Sequence, residues 1–526
     1  MGSAQAQDAA AQAPAILHPK LIDAENSIAT SFQAGAVKAD VIVNLAAPQQ
    51  LMAGTNYSDR AALAQLQREI ARRQDDVLKT LPAGEFDLKI KYENICSFAG
   101  AISHQSLMQL LADNRVESIE VDVIDEPHLA QGAVLMNAIA TRTLYNGAGL
   151  SVAIVDTGID YMHPMLGGAA FPNAKVIGGY DFGDDDADPM DCNGHGTRCA
   201  GLAAGNLSVI GNYIGGMAYN ARIYALKIVS NCASSAASSS ITASWDWCVT
   251  HKNDDPNNPI MVISTSFGGG RYFNTCDSAN PSRTAAANAA VAAGITLFCS
   301  SGNSGYCDST GAPACIGSVI AVGAVYDANL GQISHCVSAD SCAPKVESGS
   351  CSSGWVVNVL AAQAGAVIAY SNAASFLGVL APSNNATTTS LAGAYTNSFS
   401  GTSAACPYAA GAAACLQQAA LAERGAFLTP AQVRSTLDLT GTPTLDSKVA
   451  ITKSRVNLGN AVASLCPCLG DVNHDGMKNG EDIQSFTNCM LIGGACSCAN
   501  IDQTGGITSA DLSLFVNDLV GGTPCP

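Results

Sequence analysis

Three residues able to do chemistry together stand in short glycine-containing words: Asp156 in Val155-Asp-Thr-Gly158, His195 in Gly194-His-Gly-Thr197, and Ser403 in Ser400-Gly-Thr-Ser-Ala-Ala-Cys-Pro407. A carboxylate, an imidazole and a hydroxyl are the set that makes a serine oxygen nucleophilic, because the imidazole takes the proton and the carboxylate holds the imidazole. Each word alone is ordinary turn punctuation. Their order and surroundings give them meaning. Asp156 closes the apolar run 151–155, where a buried strand ends, while His195 and Ser403 each open an Ala/Gly-rich stretch that reads as helix. Free N–H groups at a helix start favour a developing negative charge, so the N–H of Ser403 supplies half of an oxyanion site. Asn303 in Cys299-Ser-Ser-Gly-Asn-Ser-Gly305, after the apolar run 294–298, is a glycine-flanked amide that can donate to such an anion. Pro407 falls within about a turn of the helix start, where a missing N–H costs little.

In this order the words resemble those of subtilisin-like serine proteases (subtilases), over about residues 139–462. Strand-like runs at 151–155, 223–229, 260–264, 295–299 and 319–324 alternate with Ala-rich helices, which predicts an α/β fold with a mainly parallel sheet flanked by helices. The resemblance implies acyl transfer to Ser403, with His195 as base and then acid, Asp156 as its orienting carboxylate, and Asn303 on the oxyanion. It also implies that Ser264-Thr-Ser-Phe-Gly-Gly-Gly270 backs a peptide substrate. Its glycines would let a peptide backbone approach and pair as an added strand. Ser264, Ser266, Phe267, Gly268 and Gly269, with Ser300, Ser301 and Gly302, would then wall a pocket for a medium or large apolar side chain of a protein or peptide substrate. Two other readings stay open at this level: a catalytically silent docking scaffold, and a processing protease of narrow specificity.

The chain has 526 residues, is 48% hydrophobic and only 13% charged, and carries a net charge of −18. That is room for about two to four domains. The acidic balance excludes nucleic-acid and anionic-membrane binding as expectations, and no apolar run is long enough to span a bilayer. The 20 cysteines point to an oxidising compartment. No basic start or apolar centre of a secretion signal follows Met1, so the expectation is a secreted chain whose leader has been removed. One cysteine precedes residue 130, thirteen lie from 192 to 415, and six follow from 466. The odd central count requires a free thiol; Cys199, one helical turn after His195, is the candidate, read as a buried inert thiol.

Residues 1–35 are Ala/Gln-rich and read as a flexible segment. Residues 36–128 show strand 40–45, helix 59–78, strand 86–92, helix 105–112 and strand 116–124. The pattern resembles the small α/β inhibitory propeptide of secreted subtilases, and carrying the comparison through places maturation near His128-Leu129. The chain's own propeptide is thus an expected partner. The catalytic domain is expected over 129–465, with 331–375 as a surface insertion pinned through Cys336, Cys342 and Cys351.

Two acidic regions call for calcium. Tyr180-Asp-Phe-Gly-Asp-Asp-Asp-Ala-Asp-Pro-Met190 packs five aspartates just before His195, and such density repels itself without a cation. A matching loop in some thermostable subtilases makes Asp181, Asp184, Asp186 and Asp188 the expected ligands. Another subtilase calcium site uses His-Pro-Asp; here the word is His163-Pro164-Met165, and that site is not expected. From Asp471 the chain offers oxygens at EF-hand loop positions, from Asp471, Asn473, Asp475, the Met477 carbonyl, Asn479 and Asp482, with Gly476 at the turn. A degenerate second copy runs through Asn500, Asp502, Thr504, Gly505, Thr508 and Asp511. Helices are expected after each, at 483–491 and 512–519. The pair, residues 466–526, resembles a dockerin, which implies a cohesin-like partner; paired loops of this kind also serve as plain structural modules.

Overall fold

The computed structural model describes residues 18–22, 32, 37–48, 55, 59–122, 124–127, 132–210, 213–345, 351, 354–466, 468–472, 477–492, 497–499, 501, 507–521 and 525. The chain forms two compact units, residues Met1–Val123 with Ser278–Ser282, and residues Ile124–Asp277 with Arg283–Pro526.

In the first unit a five-stranded sheet runs in the order β1 (Leu21–Ile22), β5 (Val116–Val121), β2 (Lys38–Leu45), β4 (Ser97–Ser103), β3 (Phe86–Lys91). Helices Arg60–Leu78 and His104–Ala112 accompany it. Asp59 starts the longer helix by accepting the N–H groups of Ala61 (2.8 Å) and Ala62 (3.4 Å), a side-chain cap of the usual kind. Leu63, Leu66, Ile70, Gln74 and Val77 return every three or four residues and form its buried face. Gln74 donates to the carbonyls of Tyr92 and Ser97, both at 2.7 Å, and so joins helix to sheet. Two features differ from expectation. The strand expected to reach residue 124 stops at Val121, and β4 was not foreseen. Ser97-Phe-Ala-Gly-Ala-Ile-Ser103 is buried almost throughout between β2 and β3, so it carries no polar–apolar alternation to read.

The second unit is built on a nine-stranded sheet in the order β21 (Thr442–Asp446), β22 (Ile451–Arg455), β18 (Val379–Ser383), β15 (Ile320–Tyr326), β13 (Thr296–Ser300), β11 (Ile260–Thr265), β7 (Ser151–Asp156), β9 (Arg222–Lys227), β8 (Val176–Asp181). Every neighbouring pair is parallel except β21–β22 at one edge. This is the expected α/β architecture: a mainly parallel sheet flanked by helices. Strands β7 and β11 are buried at every residue, which is why they read as continuous apolar runs. Helix Thr402–Arg424 packs close to helix His195–Ala204, because Gly411 leaves space. A Cβ there would lie 2.6 Å from the Ala203 carbonyl oxygen and from Met217 Cβ.

The region expected as an insertion contains a hairpin of β16 (Gly331–Ser338) and β17 (Gly354–Ala362), held by Cys336–Cys351 and tied back by Cys307–Cys342. Residues 368–374 are buried instead of lying on the surface, so the superficial part ends near Val367 and not at 375. Two further disulfides join Cys192–Cys232 and Cys276–Cys315. Cys199, Cys248, Cys299, Cys406 and Cys415 are buried thiols outside the disulfides, which accounts for the odd central count. At the C-terminal end, Cys466–Cys498 and Cys468–Cys525 brace helices Asp482–Ile492 and Ser509–Gly521. Between them the rings of Phe486 and Phe515 stack 4.0 Å apart.

Candidate active site

Asp156 is the last residue of β7, at the C-terminal edge of the sheet, and is 1% exposed. Its Oδ1 accepts the Thr157 N–H (2.8 Å) and lies 2.5 Å from His195 Nδ1. That approach depends on Gly196: a Cβ there would come 2.1 Å from the Gly158 carbonyl oxygen, so a side chain would push the helix start off the turn. The imidazole lies against the rings of Phe267 (5.7 Å between centroids) and Phe399 (5.8 Å). Its Nε2 is buried and, among the described residues, has no hydrogen-bond partner.

Asp191, which the sequence reading passed over, fixes this pair. Its carboxylate accepts the N–H groups of Asn193 (2.9 Å), Gly194 (2.9 Å) and Thr197 (3.0 Å), and the hydroxyls of Thr197 (2.6 Å) and Thr157 (3.0 Å). One buried carboxylate thus ties the turn after Asp156 to the helix start that carries His195. The available signal was an aspartate just ahead of a helix-opening word, an N-terminal anchor by type.

Ser403 is the second residue of helix Thr402–Arg424. Its Oγ donates to the Ser266 carbonyl (2.9 Å) and stands 3.4 Å from Ser300 Oγ, so in this structure the hydroxyl is engaged away from the imidazole. Pro407 lies deeper in the helix than the first turn. Lacking an N–H, it leaves the carbonyl of Ser403, four residues earlier, without its helical donor. The Ser266 hydroxyl supplies one, with Cys199 Sγ at 3.7 Å. Cys199 Sγ also lies 3.8 Å from His195 Nδ1. Burial first, then the Asp156 charge, hold its thiol pKa well above the ordinary value, which suits an unreactive thiol.

Asn303 is tied to the same helix. Its Oδ1 accepts the Thr402 N–H (2.8 Å) and hydroxyl (3.0 Å), and Thr402 Oγ1 in turn accepts the Gly302 N–H (3.0 Å). With the carboxamide oxygen anchored, its Nδ2 is the group left to donate. Thr402 was also missed from sequence.

The expected pocket residues divide. Phe267 opens β12 (Phe267–Tyr272), and the backbones of Phe267 and Gly268 pair antiparallel with Pro127 and Glu126 of β6 (Ile124–Pro127). The other edge of β6 pairs with β10 (Ala236–Ala237). An extended segment of chain therefore occupies the place foreseen for a peptide, paired at Gly268 with Gly269 next along β12. Ser264, Phe267 and Ser301 correct the expectation. Ser264 Oγ faces Cys406 Sγ (3.5 Å), the Phe267 ring covers His195, and Ser301 Oγ faces the Asn372 carbonyl (3.4 Å). Ser264 lies in β11 and Ser301 follows β13, strands buried at every residue, and Phe267 is itself fully buried, so these side chains face inward. Ser266 serves helix Thr402–Arg424 through the Ser403 carbonyl, and Gly302 has no room for a side chain, since a Cβ there would lie 2.3 Å from Asn372 Nδ2. His128 and Leu129 lie outside the described residues.

A profile of the subtilase family (Peptidase_S8) matches residues 147–457, the stretch that contains Asp156, His195, Asn303 and Ser403. The chain belongs to the subtilase family. Among its relatives are alkaline serine exoprotease A of Vibrio alginolyticus, 30% identical over 44% of this chain and 41% of that protein, and serine protease AprX of Bacillus subtilis (strain 168), 32% identical over 46% and 54%. Subtilisin DY of Bacillus licheniformis is 31% identical over 58% of this chain and 87% of its own length. The chain spans about two fifths to half of the length of the first two relatives.

In this subtilase the acidic loop before His195 departs from its reading as a calcium site. Lys227, at the end of β9, places Nζ between Asp181 Oδ2 and Asp184 Oδ2, the latter at 2.9 Å. Asp186 and Asp188 turn to backbone N–H groups, of Asp188 (2.8 Å) and Met190 (3.2 Å), and Asp188 also accepts the Tyr161 hydroxyl (2.8 Å). Asp181, Asp184, Asp186 and Asp188 therefore do not form one ligand set. The compensating cation is a lysine from a neighbouring strand, invisible in the local word.

The C-terminal loops differ. Asp471, Asp482 and Asp511 are buried. Asp482 accepts the N–H groups of Val472 (2.7 Å) and Asn479 (2.9 Å); in the second copy Asp511 accepts the N–H of Thr508 (2.8 Å). The two copies thus share one geometry, the twelfth loop residue bonding the N–H of the ninth, and Phe486 and Phe515 follow at the same offset. The loop's Lys478 pairs with Asp518 (3.1 Å). Met477 exposes its side chain and offers only its carbonyl, as its loop position requires. Carboxylate and carbonyl oxygens are the hard donors calcium takes, so the chemistry of this donor set fits calcium. Asn473, Asp475, Asn500, Asp502 and Thr504 lie outside the described residues.

Among the described residues, no helix is long and apolar enough to cross a membrane.

Proposed function

We propose that the protein is a secreted serine endopeptidase, made as a self-processing zymogen, with Asp156, His195, Ser403 and Asn303 as its catalytic residues. The observation that carries this reading is the Asp156–His195 pair: Nδ1 is held at 2.5 Å by the carboxylate, while Nε2 is buried and, among the described residues, unpartnered. An orphaned buried nitrogen is costly, and a proton to collect gives it a task. Ser403 leaves the Ser266 carbonyl, passes its proton to Nε2 and attacks the scissile carbonyl. The Ser403 N–H and Asn303 Nδ2 hold the oxyanion, His195 protonates the leaving amine, and water resolves the acyl-enzyme.

Residues 36–128 act as the inhibitory propeptide, ahead of the catalytic domain at 129–465. Support comes from the β6–β12 pairing, where the segment just before the expected cleavage region lies as a product strand would. The disulfides support an oxidising destination. Residues 466–526 form a calcium module of dockerin type, held through Asp471, Asp482 and Asp511 with the residues between them; calcium supplies charge to this fold and takes no part in catalysis. Its docking onto a cohesin-like partner belongs to the same reading.

Ser403→Ala, expressed without other proteases, abolishes both digestion of an unstructured protein and release of the first ~128 residues. Release at a normal rate defeats the self-processing reading. Asn303→Ala lowers kcat by ~100- to 1,000-fold with little change in KM, since the amide acts chiefly in the transition state.

A further inference from the structure

A cavity of ≈ 460 Å³ opens beside β8 and β9, and none of Asp156, His195, Asn303 or Ser403 lines it. Its walls are aromatic: Phe171, Tyr224 of β9, and Trp247 and His251 from helix Ser238–Thr250 and its C-terminal cap. The Trp247 and His251 rings stack 3.9 Å apart, and Tyr224 meets Trp247 at 5.7 Å. The space exists because β8 is bare here. A Cβ on Gly178 would come 2.7 Å from Tyr224 Cε1.

The mouth is negative. Asp254 lies 2.7 Å from His251 Nδ1, and Asp255 receives the neutral donors Asn257 N–H (3.0 Å) and Asn258 Nδ2 (2.7 Å). Lys252 is turned away to the Ala293 carbonyl. Burial first, then the charges of Asp254 and Asp255, push the Tyr224 hydroxyl up to about 12. Ala187, also on the rim, belongs to the acidic loop, where Asp185 accepts the Tyr180 hydroxyl (2.9 Å).

Aromatic faces inside and carboxylates at the entrance select among ligands. An anion is repelled, a neutral apolar molecule gains nothing from the acids, and a hydrated metal ion gains little from the rings. An alkylated ammonium gains from both. We propose that this cavity binds an alkylammonium head, carried either by a small free cation or by a lysine side chain of a polypeptide.

Calorimetric titration of the full-length protein at constant ionic strength tests this with three probes: choline, N-acetyl-lysine methylamide, and 3,3-dimethylbutanol, the neutral isostere of choline. At least one cation is expected to saturate a single site with a Kd ten-fold or more below that of the alcohol. The tighter cation identifies the source, free ligand or side chain. Trp247→Leu and Asp254→Asn, each checked by melting to be folded, are expected to weaken that binding about ten-fold. Equal affinity for the alcohol, no saturable binding of either cation, or undiminished affinity in both folded variants overturns the proposal.

Discussion

The acidic loop at 181–188 and the calcium-type loop at 471–482 look alike as sequence, yet their charges are met by different means. In the first, Lys227 reaches across from β9 and lies between Asp181 and Asp184. In the second, buried Asp482 bonds backbone N–H groups of its own loop, Asp511 repeats the arrangement, and Lys478 is occupied by Asp518. Carboxylate density states that a positive charge is needed. Only the fold says whether a strand neighbour already provides it, whereas the spacing of an EF-hand loop specifies the geometry of a metal directly.

The sharpest way to break this contrast is to remove the internal cation. Lys227→Met leaves Asp181 buried without its partner, and a loss of roughly 3–5 kcal/mol is expected, read as a large drop in the denaturant midpoint of the Ser403→Ala protein. A small change would mean that the lysine is not the counter-charge. Next in size is the tail. Chelation, or Asp482→Ala, is expected to remove about 3 kcal/mol of calcium-linked stability, given calcium at some hundred-fold over its Kd. Loss of amide protection in helices Asp482–Ile492 and Ser509–Gly521, with the catalytic sheet unchanged, is the readout.

Another buried lysine sharpens the comparison. Among the described residues Lys175 has no carboxylate partner; its Nζ donates to the carbonyls of Tyr219 (2.8 Å) and Ala221 (2.7 Å), and burial, with Arg222 nearby, lowers its pKa to about 7. Between that value and the ordinary ~10.4 of an unfolded lysine, the unfolded chain holds the extra proton, so this group's contribution rises with pH across the window. Lys175→Met should flatten the rise in melting temperature from pH 7 to 10 by ~2–4 °C. The smallest effect is expected for Asp186→Asn with Asp188→Asn: within about 0.5 kcal/mol at this surface, and no change in the response of the catalytic sheet to chelator. A chelator response that disappears in this variant would restore the loop as a metal site.

Much of the candidate site was legible because its chemistry is written in contiguous words. Asp156 ends an apolar strand, His195 and Ser403 open small-residue helices, and Asn303 sits in a glycine turn after a strand; each environment is local. What was not legible is non-local. Lys227 meets Asp181 only because β8 and β9 pair in register, and Ser266 serves Ser403 only because Pro407 deprives its carbonyl of a donor. Asp191 owes its role to bonds with Thr157 and Thr197, and Thr157 lies far from it in sequence. Strand β4 escaped because burial on both sides erases the period that marks a strand, and Ser264 and Ser301 were turned inward by the same two-sided burial. Within the parallel sheet β7, β9, β11, β13 and β15 were readable from their apolar runs, while β8, β18, β22 and the edge strand β21 were not.

The central claim, that Ser403 is the nucleophile of a hydrolytic triad, is met most directly by treating the mature protein with a fluorophosphonate and mapping the adduct by mass spectrometry. The account predicts a single adduct on Ser403, absent from His195→Ala, with peptide hydrolysis lost in proportion to labelling. An adduct on another residue, or full hydrolysis with Ser403 unlabelled, would contradict it.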